Sequence, residues 1–260
     1  MLKNRVALVT GGGEGIGRGI AEALAERGVR VAICGRRPRP LEDTAQHVRS
    51  SGGDALAITA DVTKRDEVQQ AVATIVKEWG QIDILVNNAG MSGRTPIDDP
   101  DDSRWLNILQ VNLTGSYLCT KLVLPYMKDA AYGRIINLSS VLGRFGVPGY
   151  AGYCTAKHGI IGFTKAVALE VAGRGITVNA ICPTWVDTAM ARLGIEETAS
   201  VLQMSPETFR EMAIAAVPIK RMADVSEIAA TTLFLCSPAA AAITGQAINV
   251  CGGATAASGG

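Results

Sequence analysis

The sequence lacks an excess of charge of either sign. Its 25 lysines and arginines are matched by 24 aspartates and glutamates, so the formal net charge is +1. A protein that binds nucleic acid or an anionic membrane through electrostatics needs a basic face, and this composition supplies none. We therefore expect neither nucleic acid nor a membrane as a partner.

Metal ligands and paired cysteines are also scarce. There are two histidines and six cysteines, and the cysteines occur singly, without any CxxC pair. Such spacing predicts neither a metal site nor a disulfide framework. No stretch reaches the ~18 consecutive apolar residues of a membrane helix, and the N-terminus lacks the apolar core of a signal peptide. These absences favour a cytoplasmic protein.

Apolar residues and glycine are abundant: 48% of the residues are hydrophobic, and 29 are glycine. Short β-rich runs alternate with longer segments of helical periodicity, without a linker or an internal repeat. This alternation predicts one α/β domain over residues 1–260, built on a doubly wound, Rossmann-like parallel sheet of about seven strands with helices on both faces. The expected strands are residues 6–10, 29–34, 55–60, 82–87, 134–139, 177–182 and 247–250.

One segment, residues 187–221, departs from this alternation. It carries apolar residues at helical spacing and follows the sixth expected strand. An insertion at the carboxyl end of a strand lies where a doubly wound sheet binds its ligand. Because Pro183 and Pro218 bound the segment and Gly194 interrupts its helical pattern, we expect a mobile helical substrate lid. A permanently packed helical pair is the alternative.

The first expected strand runs into the glycine-rich segment TGGGEGIG at residues 10–17, after which a helix opens. Glycines let a backbone turn sharply and approach a pyrophosphate, which the free N–H groups of a helix N-terminus attract. Placed between the first strand and a helix, this segment predicts a dinucleotide site. A tight turn without a ligand is the alternative interpretation.

The second expected strand ends in a glycine, where an NAD-binding protein usually has an acidic residue for the ribose 2′-hydroxyl. Here Gly35 is followed by Arg36 and Arg37. A guanidinium can bind a 2′-phosphate through two hydrogen bonds, so these residues favour NADP(H) over NAD(H). NAD(H) stays the alternative cofactor, and a solvated basic loop is the alternative structure.

Tyr153 and Lys157 are four residues apart in an expected helix, which places the phenol and the ammonium on one face. A free tyrosine has a pKa of about 10. A neighbouring ammonium stabilises the phenolate and lowers that pKa toward the range of a proton-transfer group. Ser140 follows the fifth expected strand and would bring a hydroxyl to the same edge of the sheet.

Together these residues resemble the short-chain dehydrogenase/reductase family in its shorter single-domain branch. The likeness extends to Asp61, Val62, the segment NNAG at residues 87–90, Asn112 and residues 183–188, and it covers essentially the whole chain in order. Residues 146–191 and 249–253 are most similar to 3-oxoacyl-acyl-carrier-protein reductases and aromatic polyketide ketoreductases.

Two positions depart from the family pattern. Thr184 stands where a glycine is common, and Glu14 stands where some NADP-using members have a basic residue.

The resemblance implies catalytic roles for four residues. Tyr153 would donate a proton to the carbonyl oxygen during reduction, and Lys157 would lower the pKa of Tyr153 and bind the nicotinamide ribose. Ser140 would hold the substrate oxygen, and Asn112 would bind a water that links Lys157 to solvent. The implied cofactor-binding residues are Gly11, Gly13, Glu14, Gly15, Ile16, Gly17, Arg36, Arg37, Asp61, Val62, Asn88, Ala89, Gly90, Tyr153, Lys157, Pro183, Val186 and Thr188.

The expected function is the NADP(H)-dependent reduction of a ketone to a secondary alcohol. The ketone would be a β-keto acyl thioester, a polyketide or a similar medium-sized or aromatic ketone. An NAD-dependent secondary-alcohol dehydrogenase is the first alternative, and a non-catalytic nucleotide-binding scaffold or sensor is a more distant one. The candidate substrate residues form a largely apolar set with one possible anion-binding group, Arg94: Ser92, Arg94, Val141, Leu142, Phe145, Val147, Tyr150, Trp185, Met190 and Leu193.

The helical segments 105–128 and 153–172 carry more apolar residues than one face of a sheet covers. We therefore expect a homo-oligomer, a dimer or a tetramer, with these helices at one interface and residues 249–253 near a second. Burial of both helical faces within the monomer is the alternative. The residues expected to contact a partner are Leu106, Leu109, Leu113, Leu118, Leu122, Ile160, Phe163, Val167 and Val171.

Overall fold

The computed structural model describes residues 2–256 and contains one parallel sheet of seven strands in the order β3-β2-β1-β4-β5-β6-β7. All residues of β1, β5 and β6 are buried, as in a sheet that helices cover on both faces. The expected doubly wound fold is confirmed, while Met1 and residues 257–260 of the expected domain lie outside the described residues. The strands are β1 (Val6–Thr10), β2 (Arg30–Gly35), β3 (Ala55–Thr59), β4 (Ile84–Asn87), β5 (Gly133–Leu138), β6 (Ile176–Pro183) and β7 (Ala247–Val250).

Helices form a layer on each face of the sheet. Apolar side chains of α1, α2 and α9 pack on one face, and those of α3, α5 and α6 pack on the other. α2 begins at Pro38, because proline suits the first turn of a helix. The helices are α1 (Gly15–Glu26), α2 (Pro38–Ser50), α3 (Arg65–Trp79), α4 (Ser103–Leu109), α5 (Gly115–Asp129), α6 (Ala151–Val171), α7 (Ala189–Val201), α8 (Pro206–Ala215) and α9 (Val225–Cys236).

The strand order reverses between β1 and β4, which are parallel neighbours in the middle of the sheet. The loops that leave these two strands diverge to opposite faces, so a crevice forms at their carboxyl ends. Ser140 and the start of α6 follow the neighbouring strand β5 at the same edge. The fold therefore brings the glycine-rich segment and the Ser140–Tyr153 region to one side of the molecule.

The segment 187–221, where we expect a lid, contains two helices, α7 and α8. We call it the lid segment. Gly194 lies inside α7 and does not interrupt it, so the expectation that it would break the helical pattern was wrong. The ring of Trp185 lies beside this position, 3.6 Å from where a Cβ on Gly194 would be. Glycine here allows a close approach of helix and indole instead of ending the helix.

Several side chains that we expected on a partner surface are buried inside the chain. Leu118, Ile160, Val167 and Val171 are each less than a tenth exposed, so the expectation was wrong for these four. Val167 and Val171 pack against β5 and β6 in the core below α6. Leu106 on α4 is exposed, and sequence analysis missed Leu169 on α6, which is 83% exposed.

Among residues 2–256, no helix combines the length and the apolar character needed to cross a membrane.

Candidate active site

The loop between β1 and α1 requires glycine on steric grounds. Gly11 and Gly15 have φ angles of 65° and 52°, in the left-handed region that favours glycine. A Cβ on Gly17 would lie 2.2 Å from the carbonyl oxygen of Gly11, so a larger residue does not fit without displacing the loop. A ligand can therefore approach the backbone of this loop closely.

Asn88 fastens this loop to the end of β4. Its Nδ2 donates hydrogen bonds to the carbonyl oxygens of Thr10 at 3.0 Å and Gly11 at 3.1 Å. The hydroxyl oxygen of Thr10 accepts hydrogen bonds from the backbone N–H groups of Asn88 and Ala89. The sequence predicts Asn88 as a cofactor-lining residue, and the structure shows that its amide NH₂ also holds two loops of the crevice together.

A pocket opens at the carboxyl ends of β1, β2 and β4. Most of the residues predicted for the adenosine end of a dinucleotide line it. Sequence analysis missed Pro40, Leu41, Ala60 and Val111, because nothing in an isolated apolar residue marks it as a pocket wall. The lining residues are Gly11, Gly13, Glu14, Gly35, Arg36, Arg37, Pro40, Leu41, Ala60, Asp61, Val62, Ala89, Gly90 and Val111.

The two arginines of the pocket lie near carboxylates. Nη2 of Arg37 lies 2.7 Å from Oε2 of Glu14. Burial opposes ionisation of Asp61, but hydrogen bonds from Thr63 and the positive charge of Arg36 outweigh it, so the pKa of Asp61 is lowered. Positive and negative side chains therefore lie side by side in this pocket.

Ser140 and Tyr153, two of the four predicted catalytic residues, lie side by side in the structure. Ser140 Oγ accepts a hydrogen bond from the backbone N–H of Leu142 at 3.1 Å, which fixes the hydroxyl at the edge of the sheet. Burial raises the pKa of Tyr153 to about 12, although a hydrogen bond with Ser140 acts in the opposite direction. Tyr153 therefore carries its proton at neutral pH, as a proton donor must.

Lys157 lies one turn after Tyr153 on α6. Its Nζ is 5.4 Å from the centre of the Tyr153 ring and donates a hydrogen bond to the Leu138 carbonyl oxygen at 2.7 Å. Burial lowers the pKa of Lys157 to about 8. The sequence predicts that Lys157 lowers the pKa of Tyr153, but burial raises that pKa, and the group that acts to lower it is Ser140 rather than Lys157. The ammonium of Lys157 donates to the backbone at the end of β5.

Asn112 lies where the helical path between α4 and α5 widens into a π-turn, Gln110–Thr114. Its Nδ2 donates to the carbonyl oxygens of Met91 and Ile108, at 2.8 and 2.9 Å. Its Oδ1 is buried and has no hydrogen-bond partner within residues 2–256. This oxygen faces Gly90, where a Cβ would lie 2.7 Å away. A buried acceptor of this kind needs a donor, and a water molecule or a ligand can supply one.

Pro183, Val186 and Thr188, which the family resemblance implies as cofactor-binding residues, lie where β6 meets the segment 187–221. Val186 is buried, and Thr188 Oγ1 accepts from the backbone N–H of Ala191, which caps the start of α7. A Cβ on Gly15 would lie 3.2 Å from Cγ2 of Thr188, so the first turn of α7 rests on the glycine-rich loop. Pro183 ends β6, and the backbone N–H of Thr184 donates to the Val250 carbonyl oxygen.

Side chains tie α7 to the body of the molecule at two points. The hydroxyl of Tyr150, a candidate substrate residue, lies 2.8 Å from Oγ1 of Thr198. Arg104 at the start of α4 forms an ion pair with Glu197. Of the other candidate substrate residues, Val141 is buried, whereas Met190 and Leu193 on α7 are exposed. Tyr150 thus contacts the lid segment and helps to hold it.

The site suits a nicotinamide dinucleotide. The glycine-rich loop admits a close backbone approach, and the adjoining pocket contains two guanidinium groups. Within the described part of the chain, no group of three or more metal-ligating side chains occurs.

Comparisons with known proteins agree with this arrangement. Residues 5–199 match the model of the short chain dehydrogenase family. The 3-oxoacyl-acyl-carrier-protein reductase of Synechocystis sp. is 40% identical over 254 residues, which are 97% of this chain and 97% of that protein.

Solved structures show the same likeness. A variant of actinorhodin polyketide ketoreductase with NADPH is 43% identical, with a TM-score of 0.94 over 96% of this chain and 97% of that chain. An NAD⁺-bound xylitol dehydrogenase is 33% identical, with a TM-score of 0.93 over 97% of this chain and 99% of that chain. With a family match across most of its length and the same fold throughout, the chain belongs to the short-chain dehydrogenase family and is an oxidoreductase.

Proposed function

We propose that the protein is an NADP(H)-dependent carbonyl reductase that converts a ketone to a secondary alcohol. We further propose that the ketone is a β-keto acyl thioester, a polyketide or a similar medium-sized or aromatic ketone. The names of the 3-oxoacyl-acyl-carrier-protein reductase and the polyketide ketoreductase support this substrate class. Arg36 and Arg37, next to Gly35 at the end of β2, support NADP(H) because they can bind a 2′-phosphate.

The observation that carries this proposal is the protonated phenol of Tyr153 beside the Ser140 hydroxyl. A carbonyl oxygen that becomes an alkoxide needs a proton donor within hydrogen-bond reach, and general acid catalysis of this kind contributes roughly 10²–10⁴-fold. A phenol with a raised pKa keeps its proton until the substrate oxygen develops negative charge. Ser140 is placed to hold that oxygen while the proton moves.

When bound, the nicotinamide cofactor supplies the hydride. Tyr153 Oη then donates its proton to the substrate oxygen, which Ser140 Oγ holds by a hydrogen bond. Lys157 Nζ, protonated below about pH 8, lies 5.4 Å from the centre of the Tyr153 ring and would hold the nicotinamide ribose. Asn112 Oδ1 is a buried acceptor for a water that carries a proton from solvent toward Lys157.

The test is a cofactor titration followed by a turnover assay. The purified protein should bind NADPH more tightly than NADH and oxidise NADPH in the presence of a panel of β-keto esters and thioesters. Tight NADPH binding without turnover on a broad panel of ketones and alcohols would favour a non-catalytic nucleotide-binding protein. A smaller dissociation constant for NADH would contradict the proposed cofactor.

A second candidate function is the NAD-dependent oxidation of a secondary alcohol. It keeps the same four catalytic residues and reverses the direction of the reaction. Glu14 favours this candidate, because its carboxylate lies in the adenosine pocket and is paired with one of the two arginines. NAD⁺-dependent turnover of a secondary alcohol at a higher rate than any NADPH-dependent reduction would establish it.

We also propose a cytoplasmic location. All six cysteines are free and buried, including Cys34, Cys182 and Cys236. Burial raises the pKa of Cys34 and of Cys236 to about 12, so neither forms a reactive thiolate at neutral pH. Unpaired thiols are typical of a reducing compartment.

We propose a homo-oligomer with α5 and α6 at an interface. Tyr117 on α5 is exposed and packs edge-on against Phe163 on α6, with ring centres 6.4 Å apart. Leu169 lies further along α6 and is 83% exposed. Tyr117 and Phe163 form one apolar contact across the two helices, and Leu169 adds an exposed aliphatic side chain on α6, which a second copy can cover.

Light scattering at micromolar concentration should therefore give at least twice the chain mass of 27.1 kDa. Leu169→Glu should lower the measured mass, because a carboxylate would be buried at the interface. Ile97→Glu is the matched control, since Ile97 is 95% exposed and lies outside both helices. A wild-type particle of 27.1 kDa would contradict the oligomer.

The segment 187–221 is proposed as a substrate lid. Helix α8 contains no buried residue, whereas α6 contains ten. Leu193, Leu202 and Met212 expose apolar side chains that a substrate or cofactor could cover. A segment with few buried contacts opens at low free-energy cost, and such lids often control turnover.

Hydrogen exchange tests the lid. Amides of α7 and α8 should exchange faster than those of α6 in the protein without ligands, because fewer buried side chains hold them. Protection of α7 and α8 should rise when NADPH and the alcohol product bind. Equal protection of the three helices, unaffected by ligand, would mean that the two helices are a fixed part of the fold.

A further inference from the structure

The adenosine pocket contains two positive and two negative side chains. Arg36, Arg37, Glu14 and Asp61 all line it, so their formal charges cancel. A 2′-phosphate carries about 1.5 to 2 negative charges at neutral pH. Such a group binds best where the surrounding charge is positive, and this pocket is balanced before the cofactor arrives.

The two carboxylates of the pocket are held differently. Asp61 Oδ1 accepts hydrogen bonds from the backbone N–H and the hydroxyl of Thr63, at 2.9 and 2.8 Å, within its own turn. Glu14 occupies the N-cap position of α1, yet its side chain makes no capping hydrogen bond. Its carboxylate instead points across the pocket to Arg37, which belongs to the loop after β2.

We propose that Glu14 determines cofactor specificity by competing with the cofactor 2′-phosphate for Arg37. This inference rests on the proposed function, because it concerns the pocket assigned there to NADP(H). A guanidinium that is bonded to a carboxylate cannot offer the same N–H groups to a phosphate. Arg36 then provides most of the attraction for the 2′-phosphate, and Glu14 reduces the preference for NADP(H) over NAD(H).

The exposure of the pair sets the size of the effect. The side chains of Arg37 and Glu14 are 72% and 48% exposed, so water and salt screen their attraction. Exposed ion pairs are weak, and releasing Arg37 from Glu14 should tighten NADPH binding by about threefold to tenfold. NADH lacks the 2′-phosphate, so its dissociation constant should change by less than about twofold.

The experiment measures dissociation constants by fluorescence titration in the wild type and in Glu14→Gln. Glutamine keeps the size of the side chain and removes its charge. The fragments 2′,5′-ADP and 5′-AMP are titrated in parallel, because they isolate the effect of the phosphate from the nicotinamide end. Glu42→Gln is the matched control: Glu42 forms an exposed ion pair with Arg49 on the neighbouring α2 and does not line the pocket.

The expected result is tighter binding of NADPH and of 2′,5′-ADP to Glu14→Gln, with NADH and 5′-AMP nearly unchanged. The gain should shrink at high salt and disappear when Arg37→Gln is added to Glu14→Gln. An unchanged or weaker affinity for NADPH would overturn the inference. A gain that persists without Arg37, or that is equal for NADH and NADPH, would also overturn it.

The test of Glu14 can be distinguished from the test of the proposed function. If the wild type binds NADH more tightly than NADPH, the proposed cofactor is wrong. The inference on Glu14 is still decided by whether the ratio of the two dissociation constants shifts toward NADPH in Glu14→Gln. Because Glu14 is half exposed and caps no helix with its side chain, the variant should unfold at the wild-type temperature.

Discussion

Tyr153→Phe should lower kcat for ketone reduction by at least about 100-fold, the lower end of what general acid catalysis contributes. The substitution removes one oxygen atom and leaves the ring, so the packing of the ring is retained. It removes the proposed proton donor. NADPH binding should change little, because the ring of Tyr153 is kept and Tyr153 does not line the pocket that contains Arg36.

The measurement is kcat under saturating NADPH, together with the dissociation constant for NADPH. Tyr132→Phe is the control, because Tyr132 precedes β5 and lies at the opposite edge of the sheet from Ser140. That variant loses only a long hydrogen bond, 3.5 Å from its hydroxyl to the Cys236 carbonyl oxygen. Full activity of Tyr153→Phe would show that another group donates the proton.

Lys157→Met should abolish most of the activity and yet make the fold more stable at pH 7. The side chain of Lys157 is buried, and its burial lowers its pKa from 10.5 to about 8. A charged ammonium at this position therefore destabilises the folded state, by about 1.4 kcal/mol for each unit by which its pKa is lowered. The lost hydrogen bond to Leu138 costs about 0.5 to 1.5 kcal/mol. The net gain should be on the order of 2 to 3 kcal/mol.

The pH dependence of this stability difference follows from the linkage between proton binding and folding. Between about pH 8 and 10.5 the unfolded chain binds a proton at Lys157 that the folded chain has released, so wild-type stability rises with pH there. The variant lacks this group, and its advantage should be largest below pH 8 and shrink above it. Titrating groups that do not interact with Lys157, such as Cys34, contribute equally to both proteins and cancel in the difference, whereas Cys182 interacts electrostatically with Lys157 and does not cancel fully.

Urea unfolding of both proteins at pH 7 and pH 9 measures this difference. Lys165→Met is the control, because Lys165 lies on the same helix and is exposed. Its substitution should change the free energy of unfolding by less than about 0.5 kcal/mol, as is usual at the surface. A Lys157→Met variant that is less stable than the wild type at pH 7 would show that its ammonium is satisfied in the fold.

The sheet could be predicted from the sequence because the apolar run of each strand indicates that the strand is buried. The apolar run of β1 and the glycine-rich segment after it are neighbours in the chain, and Tyr153 and Lys157 are four residues apart. Parallel strands bring their carboxyl ends to one edge, so the topology alone gathers Ser140, Tyr153 and the glycine-rich loop. Local patterns and topology were therefore sufficient for the fold and for the position of the site.

The rest of the site depends on contacts between residues that are distant in sequence. The Glu14–Arg37 pair joins positions 23 residues apart. The hydrogen bond from Lys157 to Leu138 requires the packing of α6 against β5. The residue pattern of the sequence does not predict this contact. The inward orientation of Leu118 and Val167 on α5 and α6 depends on how far each helix is rotated, which an apolar face alone does not define.

The contact between Thr188 and Gly15 has a kinetic consequence. Thr188, at the start of α7, contacts the loop that we expect to bind the cofactor pyrophosphate, so a bound cofactor would adjoin the base of segment 187–221. We therefore expect the cofactor to bind before the ketone. Initial-rate patterns should then be those of a compulsory-order mechanism, in which the nucleotide binds first and leaves last. Product inhibition by NADP⁺ should be competitive with NADPH, and the alcohol product should not compete with NADPH.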